Sequence, residues 1–393
     1  MPEGFIIRDV SKYFQSKSKI ETRRMNTMAI DQAFIIQQIK KKETLYAAFC
    51  MNTKMPFIIC DPDTYNDQVW IFDGEDELKK FVEEYAQKKY LIRGAKMEQK
   101  QFGGFFASLY TLDVNEIVYV SDDAVSKIAL SDLVKRLDFS NLPPLQRPVE
   151  NPSLQLSGLY FMQEATRQIP NEEKKNLSEL NEEFSANLAA ARYIVAVIPK
   201  EGPGTLPEKL QRHEFSVPVL NMKNGKKFVP CFSDQFEYDK FRQNQKLLEL
   251  AVPLPGLMQY AGKDTDGFML NPMGMSMVLT KELIEALVKA FPDRIQEGIQ
   301  KANEIVRQAQ EYAKKTSAVR KNAPDKKPEE KRKEVPVSHL PGHSKVLTPS
   351  FASRGGAGKE AAPAPVYRPV KKAPKEQEPS EKPDSASTKQ PEK

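Results

Sequence analysis

The chain has 393 residues, 40% of them apolar and 28% charged, which is ordinary for a soluble globular body and leaves room for two domains of usual size plus a tail. Its formal net charge of +6 is local: residues 321–393 hold 16 Lys and Arg against 10 Asp and Glu, so the remainder balances to zero. A neutral body is not built to neutralise a phosphate backbone. Cys50, Cys60 and Cys231 are odd in number with no C-x-x-C pair, which fits a reducing compartment and buried thiols better than a Cys50–Cys60 redox pair. No apolar run reaches the roughly 18 to 20 residues of a membrane span, and the early Glu3 argues against a secretory signal, so a cytoplasmic protein is expected.

Residues 1–24 read as an irregular lead-in. From Asn26 a helical spacing of Met28, Ala29, Phe34, Ile35, Ile36 and Ile39 runs to Lys40-Lys41-Lys42, cations that suit the negative end of a helix dipole. Apolar strands follow at Leu45 to Met51, Phe57 to Cys60 and Val69 to Phe72, separated by turn-forming runs. A helix over 76–88 places Leu78, Phe81, Val82 and Tyr85 on one face, and a strand is expected over Ala107 to Leu112. Strand, turn, strand and helix then follow through Glu116 to Val120, Asp122-Asp123 and Ile128 to Leu137.

The same order returns. Leu177 to Leu188 is a helix pattern and Tyr193 to Ile198 a strand; Val217 to Leu220 answers Phe57 to Cys60, and Lys227 to Phe232, after the Asn224-Gly225 hairpin signal, answers Gln68 to Phe72. Ser233-Asp234 is placed to cap a helix through Phe236, Tyr238, Phe241 and Leu247. The unit closes with the strand Gly267 to Leu270, an Asn271-Pro272 turn, a second strand, and a helix capped by Thr280 with Leu283, Ile284 and Leu287 as its apolar stripe. Met273, Met275 and Met277 alternate as on one strand face, and core packing is the favoured reading over a soft contact surface.

The expectation is an α+β protein of two tandem, related α/β-sandwich-like domains, each a mixed sheet with flanking helices, covering 25–140 and 171–291. Residues 141–170 are the linker, stiffened by Pro143, Pro144 and Pro148. Residues 292–316 form a C-terminal helix with a thin seam of Ile295, Ile299, Ala302, Val306, Ala309 and Ala313, suited to docking on its own body or, second, to pairing with another chain. Residues 317–393, rich in Pro, Lys, Glu, Ala and Ser, read as a disordered tail with sparse anchors at Val346-Leu347, Phe351 and Val366-Tyr367.

Reaction chemistry is sought without result. Of His213, His339 and His343, two fall in the tail, and His213 has no nucleophile motif beside it. No ligand set has metal spacing. Arg354 to Lys359 lacks the Ser or Thr, strand and helix of a phosphate loop. Asp61, Asp63 and Asp67, like Asp122-Asp123 and Asp264 with Asp266, are explained by turns. No catalytic, cofactor-binding or metal residue is assigned, and no cofactor is expected.

At Val217 to Leu220, Gly225 to Ser233, Gly267 to Pro272 and Val278 to Thr280, the sequence resembles the SseB family in its N-terminal domain, clearly over about 170–290 and faintly over 26–137. The resemblance implies a small cytoplasmic α+β domain with no established catalytic residues. Together these readings favour a non-catalytic interaction or regulatory protein, not an enzyme, that binds a protein partner through the paired domains and the tail. Polyanion or nucleic-acid association through the basic tail is a second reading, and an enzyme with a site between the copies a third.

Overall fold

The computed structural model describes residues 32–122, 124–199, 215–243, 245 and 247–321. Helix α1 (Gln32–Lys41) leads into strands β1 (Thr44–Cys50), β2 (Ile58–Cys60) and β3 (Asp67–Phe72), helix α2 (Glu75–Gln87), strand β4 (Ile92–Glu98) and helix α3 (Gln99–Leu109). Strands β5 (Glu116–Ser121) and β6 (Ala124–Ala129) and the single turn α4 (Leu130–Leu133) complete the first unit. Helix α5 (Pro152–Ala165) comes next. The second unit runs α6 (Leu177–Ala190), β7 (Arg192–Pro199), β8 (Phe215–Ser216), β9 (Leu220–Asn221), β10 (Lys227–Phe232), α7 (Gln235–Arg242), β11 (Leu248–Pro253), α8 (Leu254–Leu257), β12 (Gly267–Leu270), β13 (Met277–Thr280) and α9 (Lys281–Ala290). The long helix α10 (Pro292–Lys321) ends the described chain.

Two mixed sheets share one plan. The first has the order β4-β1-β3-β5-β6 and the second β11-β7-β10-β12-β13. In each, the third strand in this order runs parallel to the fourth and antiparallel to the second, Ile71 facing Ala47 and Tyr119 in one, Cys231 facing Val195 and Leu270 in the other. In each, a short extra strand, β2 or β9, pairs with the opening residues of that same strand. The α+β architecture is as expected.

Each sheet is covered on both faces. On the first, Leu78, Phe81 and Tyr85 of α2 pack on Trp70, Phe72 and Val118, and the opposite face is buried by α1, α3 and α4 through Ile35, Ile39, Phe102, Phe106 and Leu133. On the second, α7 sets Tyr238 against Ile194 and Phe232, while α6, α8, α9 and the start of α10 bury Phe184, Leu254, Ile284 and Ile295 on the other side. Strands buried on both faces read as continuous apolar runs, which is why the central ones stand out in the sequence.

Several local expectations change. The strand expected over 107–112 is the end of α3 and a following 3₁₀ turn, because Phe102, Phe106 and Leu109 bury one helical face. The edge strands β4 and β11 escape the apolar pattern; β4 alternates buried and exposed residues with Gly94 and Lys96 inside it. The helix expected through Leu137 stops after one turn, leaving Leu137 exposed. Phe34 is 57% exposed despite its apolar spacing, and the part of the expected helix before Gln32, with Met28 and Ala29, lies outside the described residues. Helix α7 ends at Arg242, so Leu247 is buried from outside it. Between β8 and β9, Val217 and Val219 are not in a strand. Met273 and Met275 lie in the turn after β12, Met275 buried and Met273 exposed, so the three methionines do not share a strand face. Helix α10 continues past residue 316 to Lys321.

The segment expected as a linker holds α5, and it belongs to both cores. Leu159 joins the cluster of the first sheet and Leu154 and Met162 that of the second. Gly158 lets α6 approach, since a Cβ there would fall 2.9 Å from the Phe184 ring. Helix α5 lacks an amphipathic signature because Gln155, Ser157, Gln163 and Glu164 are buried along with its leucines.

Candidate functional site

Most of the polar side chains that the fold buries gather at the two ends of α5, with Asp61 and Gln68 paired elsewhere on the first sheet. At its start, the carboxyl ends of the parallel pair β10 and β12 meet the first turn of α7. Asn271 takes a left-handed backbone conformation at φ 48°, which asparagine tolerates. Its Oδ1 accepts from the Ser233 backbone N–H at 2.9 Å and its Nδ2 donates to Ser233 Oγ at 2.8 Å. Ser233 Oγ donates to Asp234 Oδ2 at 2.6 Å, and Asp234 Oδ1 caps α7 by accepting from the Glu237 N–H. Gln155 of α5 reaches in, its Nε2 donating to Asp234 Oδ2 at 2.7 Å and Ser233 Oγ at 2.9 Å. Asn151 adds donors to the carbonyls of Arg192 and Ser233. A buried carboxylate with such partners avoids the cost of an unmet charge.

One turn along α7, Glu237 is 1% exposed and accepts from Lys240 Nζ at 2.5 Å. Burial pushes its carboxyl above the ordinary carboxylate range, against the pull of Lys240. Among the described residues its Oε2 has no hydrogen-bond partner, and it faces Gly274, where a Cβ would lie 2.7 Å away. Lys240 also lies 3.7 Å from Met55 Sδ of the first unit.

At its other end α5 clasps the first sheet. Gln163 Oε1 accepts from the Ile58 N–H and its Nε2 donates to the Ile58 carbonyl, both at 3.0 Å, so a side-chain amide stands in for a neighbouring strand at the edge of β2. Glu164 accepts from Tyr90 Oη at 3.0 Å and from Arg167 Nη1 at 2.7 Å, and Arg167 lies over the Tyr90 ring and donates to the Lys88 carbonyl. Tyr160 Oη donates to Asp67 Oδ1 at 2.6 Å. Burial raises the Asp67 carboxyl despite that bond.

The residues singled out in the sequence are distributed as structural parts. Asp61 accepts from the N–H groups of Asp63 and Thr64 and pairs with Lys127; burial works against its charge, but Lys127 and the two N–H groups hold the carboxyl at about 2. Cys50, Cys60 and Cys231 are free thiols, Cys50 and Cys231 buried; burial pushes the Cys231 and Cys60 thiols up, the direction that weakens a nucleophile. His213, His339, His343, Asp123 and the 354–359 loop lie outside the described residues. Among the described residues no group of His, Cys, Asp and Glu could hold a metal, and no helix is long and apolar enough to cross a membrane. Sequence reading passed over Gln155, Gln163 and Asn151; a glutamine four residues into an apolar run after Asn-Pro was the available signal.

Phe102, Gly103 and Phe106 of α3, Leu133 and Val134 at α4, and Lys40 and Gln99 line a shallow recess of about 210 Å³, in which Phe102, Phe106 and Leu133 are themselves buried. A Cβ added at Gly103 meets nothing within 4 Å.

A mixed sheet closed by a helix after its parallel pair defines an α+β domain of the kind expected. Residues 173–286 match the family model described as SseB protein N-terminal domain, and this second unit is accordingly a domain of that family. No curated protein matches the chain. Among solved structures it is similar to "Anabaena Tic22 (protein transport)" and to "Tic22 from Plasmodium falciparum", each 12% identical, covering 65% of this chain and 96% of the other, with a TM-score of 0.16. Overlap that loose carries no inference to this chain.

Proposed function

We propose that this is a non-catalytic interaction protein, with the two sheets held as one body by α5 and a protein partner bound on that body and by the tail. The observation that carries the reading is the use made of the buried polar groups. Ser233, Asp234, Asn271, Gln155, Gln163 and Glu164 are spent on neighbouring side chains and on backbone, an arrangement that holds the fold together and leaves none of the six free for reaction chemistry.

The test is affinity capture from the protein's own cell with the full chain and with a chain ending at residue 321. A shared set of captured proteins, reduced in number or yield by the truncation, is expected. A full chain that captures nothing above background would overturn the reading, and identical capture by both chains would remove the tail from it. The basic tail supports polyanion association as a second reading; that reading predicts binding to single-stranded RNA that collapses between low and moderate salt and disappears on truncation.

A further inference from the structure

Among the described residues the two sheets end on four edge strands, β4 and β6 on the first and β11 and β13 on the second. Three of them are guarded. Strand β4 carries Arg93, Lys96 and Glu98 with Gly94 between them, charges of the kind that keep an edge from pairing. Strand β11 ends on Pro253 and has α10 beside it, and β13 is only four residues long. Strand β6 has six residues with neither proline, glycine nor bulge. Its one charge, Lys127, is paired with the buried Asp61. The side chains of Ala124, Val125 and Ala129 are small, uncharged and exposed, Val125 by 37%.

The backbone along this edge is open as well. Strands β5 and β6 are joined through Asp122 and Asp123, and Asp122 is left-handed at φ 44°, as a tight hairpin turn requires. The pair flanking such a loop, Ser121 and Ala124, exchanges both of its hydrogen bonds, so the ladder to β5 uses Ala124, Ser126 and Ile128. The N–H groups of Val125, Lys127 and Ala129 and the carbonyls of Val125 and Lys127 therefore face away from the sheet. Among the described residues none of these groups has a backbone partner on that side.

Charge decides what fits. At the hairpin end Asp122 is exposed, with Asp123 next in sequence; at the other end Glu116 lies opposite Ala129, and Asp63 is exposed two residues beyond the carboxylate that holds Lys127. The donors to Glu116, Asn66 and Gln68, are neutral amides and cancel none of its charge. A second copy paired antiparallel through β6 would set these acids against their own counterparts. The chain's own ends lack the complementary pattern, since Glu3 precedes the run Phe5-Ile6-Ile7, and Pro349 and Pro365 interrupt those at Val346-Leu347 and Val366-Tyr367. We propose that the outer edge of β6 is the docking site for an extended strand of a partner protein, with small or β-branched side chains at its centre and lysine or arginine at both ends. The proposal rests on the interaction reading above and names the surface and the kind of partner.

The probe is a fluorescein-labelled peptide of alternating valine and threonine between two pairs of lysines, titrated into the full chain by anisotropy. Two controls accompany it, one with serine for each lysine and one with proline at its three central residues. Saturable binding of the basic peptide is expected, about tenfold tighter than either control and weakened by salt. Amide hydrogen exchange should slow at Val125, Lys127 and Ala129 and stay unchanged at Ser126, whose N–H β5 already holds. Val125→Pro removes one outward donor and no ladder bond, and should cost about tenfold or more in affinity; Asp63→Asn with Asp122→Asn should weaken the basic peptide but not the serine isomer. Equal binding of the proline or serine control, no saturable binding, or unmoved exchange at Val125, Lys127 and Ala129 would overturn the proposal, and none of these readings needs a variant. If Val125→Pro retains every protein captured from the cell, the edge is excluded while the interaction reading stands.

Discussion

Asn271 concentrates three requirements in one side chain: a left-handed backbone, an acceptor for the Ser233 N–H and a donor to Ser233 Oγ. Asn271→Ala removes all three and leaves a buried donor unmet, so a loss of about 2 to 4 kcal/mol is expected, read as a fall in the urea midpoint at unchanged slope. Ser121, at the end of β5, donates its hydroxyl to Asp73 Oδ2 at 3.2 Å, and the earlier unit has no Asn-Pro turn after it. Asp61 gives a pH-dependent test. Its carboxyl is held at about 2 in the folded chain, below the roughly 3.9 of an unfolded aspartate, so the folded state binds fewer protons and the stabilisation is full above about pH 4. It fades as pH falls through about 2. Asp61→Asn keeps an oxygen for the Asp63 and Thr64 N–H groups but not the charge; its stability deficit should be plain at pH 7 and close between about pH 4 and pH 2, followed by chemical denaturation across that range.

At the scale of single elements, helix caps and helix clasps differ in cost. Thr280 caps α9 by accepting from the Leu283 N–H at 3.1 Å, a partly exposed site where Thr280→Ala should cost about 1 kcal/mol. Gln163 serves a buried strand edge, and Gln163→Ala would orphan both the N–H and the carbonyl of Ile58. The expected loss is about 2 to 4 kcal/mol, with amide hydrogen exchange rising at Ile58 while the second sheet is little changed. Equal losses for the two variants would show that α5 does not hold β2. The elements that sequence reading recovered best are β3 and β10, continuous apolar runs buried on both faces, and α6 and α9, whose apolar residues face the same core. Those it missed, β4, β11 and α5, are half exposed or wedged between two neighbours, so no single period survives.

Across the whole molecule, α5 makes the two cores depend on each other, because Leu159 fills one while Leu154 and Met162 fill the other. A single cooperative thermal transition is therefore expected, with calorimetric and van't Hoff enthalpies in agreement. A chain beginning at residue 171 loses Gln155 and both leucine anchors; it should melt far below one beginning at residue 149 and bind a hydrophobic dye, whereas equal melting temperatures would show that the second unit closes without α5. Helix α10 packs at Ile295 and Ile299 and stays beside the 144–147 segment as far as Gln308, whose Oε1 accepts from Arg147 Nη1 at 3.4 Å, so the docking on its own body expected from the seam holds over that stretch although Val306 is exposed.

The amino-acid order by itself determined the α+β class, the repeated succession of helix and central strands, the capped turn at Thr280, the neutral body with its basic end, and the resemblance that the match over 173–286 bears out. These follow from local spacing and composition, which act between residues a few positions apart. Only the tertiary structure decided that a supposed linker is the helix both sheets share and that buried amides of Gln155 and Gln163 tie it down. Those outcomes depend on which surfaces meet across 70 or more residues of chain. A glutamine's spacing carries no record of whether its amide faces water or an orphaned backbone, since the energy that distinguishes the two arises only once the partner is in place.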